Sequence, residues 1–130
     1  MTDIEIIGRE EFNDLPNHDR LTRLSEIALA STGVSDGHLA VEFVPADRMQ
    51  QINSKYRGQN KATDVLSFPI DGSAETAGPR ELGDVIICPQ HTVDIEQALV
   101  HGVLHLAGMD HETDDGEMLS LQEEILSWSK

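Results

Sequence analysis

Disulfides, positive charge and long apolar runs are what this chain lacks. One cysteine, Cys88, stands among 130 residues, so no internal disulfide can form, and its place at the end of an apolar run reads as a buried small hydrophobe. Only 9 Lys and Arg oppose 24 Asp and Glu, a formal net charge of -15, and just three of the basic residues are lysines, Lys55, Lys61 and Lys130. Such a surface repels polyanions at large, which excludes generic, charge-driven binding to nucleic acid. The longer apolar runs, such as Val85-Ile86-Ile87-Cys88, fall far short of the roughly 20 residues that cross a bilayer, so no transmembrane helix is expected. The start, Met1-Thr2-Asp3-Ile4-Glu5, has no basic segment leading into an apolar one and resembles no export signal; the expected compartment is the cytoplasm. An acidic, lysine-poor composition also suggests adaptation to high salt.

What remains is enough for one core, and a single domain over residues 1–130 is expected. Ile4, Ile6 and Ile7 suggest a first strand. Leu21, Leu24, Ile27, Ala28 and Leu29 recur at helical spacing after Pro16 and Asn17, and that helix should end near Gly33. A strand is expected over 38–45, then a short helix over 46–56 with Met49, Ile52 and Tyr56 on one face. Residues 63–69 read as a strand closed by Pro69, and 71–80, rich in Gly, Ser, Thr, Ala and Pro, as a surface loop. A strand over 83–88, a helix over 93–107 and a terminal helix with Met118, Leu119, Leu121, Ile125 and Trp128 on its apolar side complete the order. Neither strict alternation nor one element type prevails, so the expected class is α+β, a small mixed β-sheet covered by helices.

Chemistry concentrates in the segment His101-Gly102-Val103-Leu104-His105-Leu106-Ala107-Gly108-Met109-Asp110-His111. Positions i and i+4 lie one turn apart on the same face of a helix, so His101 and His105 can converge on one ion. Gly108 sits where the helix should stop, and His111 follows in time to complete a three-histidine site. Given 6 His and 10 Gly in 130 residues, chance yields this frame on the order of once in a thousand such chains. Three protein ligands and one open position is the arrangement of catalytic rather than structural zinc, and a water in that position drops towards a pKa of about 7. Asp110 reads as fixing the loop that presents His111. His18, His38 and His91 sit singly near element ends and read as surface residues. Asp64 and Asp84 either orient a metal-binding imidazole or cap local structure. The i, i+4, i+10 spacing with glycine at i+7 also resembles that of the metzincin proteases, but those carry a catalytic glutamate where this chain has Gly102, which makes a metallopeptidase the second reading.

Three further segments join the histidine motif in order: Ile52-Asn53-Ser54-Lys55-Tyr56-Arg57, Ala62-Thr63-Asp64-Val65-Leu66-Ser67-Phe68-Pro69 and Leu82-Gly83-Asp84-Val85-Ile86-Ile87-Cys88. With them, residues 39–128 resemble the YbeY-type endoribonucleases. That resemblance implies a zincin-like fold, one zinc ion per chain on His101, His105 and His111, and catalytic roles for His101 and Arg57. It also implies cleavage of single-stranded RNA in ribosome quality control and in maturation of the 16S ribosomal RNA 3′ end, beside the small ribosomal subunit or its proteins, with no DNA or membrane partner. A guanidinium at position 57 suits the task, since it can meet two phosphoryl oxygens at once. Lys55 and Lys61, within the acid-free stretch from Gln50 to Lys61, would give a basic patch where RNA approaches. A non-catalytic ribosome-assembly module with a structural zinc is the third reading. Only 17 residues separate Gly83 from His101, fewer than the family's usual spacing, so the helix leading into the metal site should be short.

Overall fold

Alternation at the start of the chain produces strand β1 (Thr2–Ile7), in which Ile4 and Ile6 turn towards the core while Asp3, Glu5 and Ile7 turn to solvent. Asn17 then starts helix α1 (His18–Ser31) by accepting from the Arg20 N–H at 2.8 Å. Strand β2 (Gly37–Phe43) follows, then helix α2 (Ala46–Arg57), strand β3 (Val65–Pro69) and strand β4 (Glu81–Ile87). A 3-10 turn at Pro89–His91 leads straight into helix α3 (Ile95–Leu106), and helix α4 (Glu117–Trp128) closes the order. The computed structural model describes residues 2–34, 36–69, 81–109 and 115–128. The loop expected over 71–80, together with Asp110 and His111, lies outside them.

The four strands form one sheet in the order β1-β2-β4-β3, with β1, β2 and β4 parallel and β3 antiparallel at the edge. Helices α1, α3 and α4 share one core with the sheet, built from Leu21, Leu24, Leu39, Val41, Val85, Ile87, Leu99, Leu104, Met118 and Ile125 among others. Helix α2 covers part of the other face through a smaller cluster of Val44, Met49, Ile52, Leu66, Ile86 and Cys88. The α+β class expected from the sequence is therefore the one observed, and Cys88 is buried as expected.

Helix α3 is the central piece. It is buried on most sides, and its Gly102 lies against the sheet: a Cβ built there would meet Val85 Cγ1 at 2.7 Å and Val65 Cγ2 at 3.2 Å. Ser67 Oγ donates to the Gly102 carbonyl at 2.9 Å and ties β3 to the helix at the same point. Arg20 of α1 grips Glu96 in the first turn of α3 with both arms, Nε to Oε2 at 2.8 Å and a terminal nitrogen to Oε1 at 3.0 Å. The helix ends as the sequence requires: the Met109 N–H bonds the Leu104 carbonyl, the Gly108 N–H bonds the His105 carbonyl, and Gly108 takes φ +100.

Three expectations need correction, the first being Tyr56, which is exposed while Met49, Ile52 and Asn53 form the buried face of α2. In α4 the buried residues are Met118, Gln122 and Ile125, whereas Leu119 is 46% and Trp128 63% exposed. The i, i+4, i+7 stripe outranks apolar character, because a helix can press only one face on a core. His38 is not a bland surface residue either. It bridges Glu5 on β1 and Glu81 on β4 at 3.1 and 3.0 Å, and the Glu81 hydrogen bond leads the effects that raise its pKa above the ordinary histidine value.

Candidate metal centre

His101 and His105 rise from the same face of α3, at the floor of an open cleft of about 1260 Å³. Their Nε2 atoms face each other at 3.2 Å, with ring centroids 4.7 Å apart. Two imidazole nitrogens on one tetrahedral ion, each about 2.0–2.1 Å away, stand about 3.3 Å from each other. The pair therefore fits two neighbouring positions of one coordination sphere. His111, the third expected ligand, lies outside the described residues, and among those residues no group of three His, Cys, Asp or Glu side chains is gathered for a metal.

A residue that the sequence reading passed over holds His101 in place. Gln122 of α4 is 5% exposed, and its Oε1 accepts from His101 Nδ1 at 2.8 Å. With the proton on Nδ1, the lone pair is on Nε2, on the side turned to His105. The signal was present as a polar residue on the buried stripe of an amphipathic helix, where an unpartnered amide would cost a few kcal/mol.

Arg57 ends α2, is exposed, and lines the same cleft as the two histidines, with Asn53, Gln59 and Lys61 beside it. Asn53 is buried, and its Nδ2 donates to the Lys61 carbonyl at 2.9 Å, which folds the chain after α2 back along the cleft wall. The structure thus gathers Arg57, His101 and His105 in one concavity from segments more than forty residues apart. His91, read from sequence as a surface residue, also lines this cleft.

The two aspartates separate. Asp64 borders the cleft, but its Oδ1 accepts from the Val65 N–H at 2.8 Å and from Thr63 Oγ1 at 3.2 Å, so it shapes the turn into β3. Asp84 sits elsewhere, half-buried on β4 in the environment of Glu81, Glu5 and His38, and burial followed by the Glu81 charge pushes its pKa up. Local structure is the observed role of the first. The second lies among the groups around His38.

A family model described as Endoribonuclease YbeY matches residues 9–130. Proteins named Endoribonuclease YbeY are similar to this chain in Thermodesulfovibrio yellowstonii, 39% identical over 68% of this chain and 65% of the relative, and in Bacillus cytotoxicus, 41% identical over 82% of each. The one from Listeria innocua is 34% identical over 97% of this chain and 96% of its own length. The solution structure of TM1509 from Thermotoga maritima superimposes with a TM-score of 0.56 at 28% identity, covering 97% of this chain and 88% of that one.

Proposed function

The chain belongs to the endoribonuclease YbeY family, and from that premise we propose a metal-dependent nuclease that cuts single-stranded RNA with one divalent ion, zinc by default, held by His101, His105 and His111. That it is a nuclease, hence a hydrolase, follows from the family. The observation that carries the rest is the pair of Nε2 atoms at 3.2 Å in a cleft that Arg57 also lines.

Hydrolysis of a phosphodiester concentrates negative charge on the phosphoryl oxygens, and Arg57 can meet two of them with a planar fork of donors. Lys61, on the same wall, draws the backbone in. Gln122 keeps the His101 lone pair directed into the cleft. A divalent ion, when bound, supplies Lewis acidity and makes water a usable nucleophile near neutral pH. The work assigned is maturation of the 16S ribosomal RNA 3′ end and ribosome quality control in the cytoplasm. With a net charge of -15, the chain's own basic surface around Arg57 is small, and the small ribosomal subunit or its proteins would carry much of the recognition.

The peptidase reading loses ground to Gly102. The position that would hold the general base is packed against the sheet, where a Cβ would meet Val85 Cγ1 at 2.7 Å and Val65 Cγ2 at 3.2 Å.

Elemental analysis of purified wild-type and His105→Ala protein, run beside cleavage of single-stranded RNA with and without chelator, tests site and activity together. The expected result is about one metal per chain and cleavage, both lost with His105. Arg57→Ala should keep the metal and lose cleavage by about 10² to 10³. Metal without cleavage in the wild type would favour the assembly module, and a metal-free wild type would end the three-histidine argument.

A further inference from the structure

Tyr56 is the chain's one tyrosine, and it stands on the last turn of α2 directly before Arg57. It was expected on the apolar face of that helix, yet it is 60% exposed. The ring is held rather than sunk. Phe68 of β3 packs against it edge to face, with centroids 5.4 Å apart and planes at 64°, and Lys55 Nζ lies over the ring at 5.2 Å from its centroid. Residues 54–61 are all exposed and, apart from Tyr56 and Gly58, carry polar or charged side chains. The acid-free stretch from Gln50 to Lys61 holds three of the chain's nine basic residues, and two of those three, Arg57 and Lys61, line the cleft.

A large ring kept at the surface, braced from one side and flanked by cations in an otherwise polar stretch, offers a π face with charge on either side of it. It suits a nucleic acid base, whose face stacks on the ring while the adjoining phosphates meet the cations. We propose that Tyr56 is a base-stacking platform for single-stranded RNA next to the cleft-lining Arg57, with Lys55 passing from the ring to a phosphate as the base arrives. The proposal rests on the nuclease reading and adds where the strand is gripped. The exchange runs in the right direction: an exposed cation–π contact is worth about two- to fivefold in an equilibrium, while one stacked base is worth about five- to a hundredfold. Because every base has a π face, the grip is tolerant of sequence and would hold any unpaired stretch. A paired base keeps its faces inside the duplex, so the platform itself favours single strands.

The test uses the full-length metal-loaded protein and a short single-stranded oligoribonucleotide carrying 2-aminopurine, whose fluorescence falls on stacking. Rapid mixing reads the quench before turnover, and steady-state cleavage gives KM and kcat separately. Tyr56→Leu should abolish the quench and raise KM by about five- to a hundredfold with kcat little changed; Tyr56→Phe should match the wild type in both. Tyr56→Gln carries the same expectation as Tyr56→Leu should an exposed leucine compromise the folded protein. A leucine variant that quenches and cleaves like the wild type overturns the platform while leaving the nuclease intact. A wild type that neither quenches nor cleaves overturns both.

Discussion

At the scale of single residues, the arrangement around His101 is a chain of dependence. The imidazole is useful to a metal only with its lone pair on Nε2, and Gln122 Oε1 at 2.8 Å from Nδ1 is the partner that puts it there. Gln122→Leu keeps nearly the same volume on the buried face of α4 but removes the acceptor. Metal affinity should fall about 10- to 100-fold in a competitive chelator titration, with the unfolding midpoint little changed; unaltered affinity would deny the glutamine this role. The histidines themselves were legible in the sequence because their spacing encodes one helical face. Gln122 was legible only as a polar residue on a buried stripe; the partner that explains it lies 21 residues away on another helix, and no local pattern links the two.

Among the elements, α3 has to be set at a fixed height and angle on the sheet for its histidines to reach the cleft. Gly102 sets the height through close approach, and the Arg20 to Glu96 pair fixes the helix start against α1. The Arg20 hydrogen bond is the leading cause that holds the Glu96 carboxyl below its usual range. A depressed carboxylate contributes stability above its unfolded pKa and loses it as pH falls through the folded value. Arg20→Ala should therefore destabilise the protein by about 1 kcal/mol near neutral pH, and the difference from wild type should vanish in acid. Urea melts across that range would show it, and a difference independent of pH would mean that packing, not charge, was lost. Most elements were readable from periodicity and punctuation. Asn17, Gly33, Pro69 and Gly108 mark their ends as the sequence suggested, while the face of α4 was misjudged because Leu119 and Trp128 fall off the stripe that Met118 and Ile125 define. The parallel order of β1, β2 and β4 depends on pairings between distant segments, and no single window of sequence contains it.

For the molecule as a whole, the net charge of -15 over 130 residues is a standing self-repulsion that the fold must overcome. Around His38 it is visible locally, where Glu5, Glu81, Asp84 and Asp3 converge and the histidine bridges two of them. Salt at about 1 M shortens the screening length to about 3 Å, so the thermal midpoint should rise by several degrees between dilute buffer and molar potassium chloride. Equal midpoints would dispose of the idea that this surface is adapted to high salt.

The contact of Gly102 with the sheet also limits what this scaffold can become. A lineage or a laboratory selection seeking peptide cleavage would ask for an acid beside the first histidine, and that codon change is a short one. Made on this backbone, that substitution would press helix α3 away from Val65 and Val85, so it would cost folded protein before it offered any chemistry. The room for such an acid would have to be cut into β3 and β4 first, at Val65 and Val85.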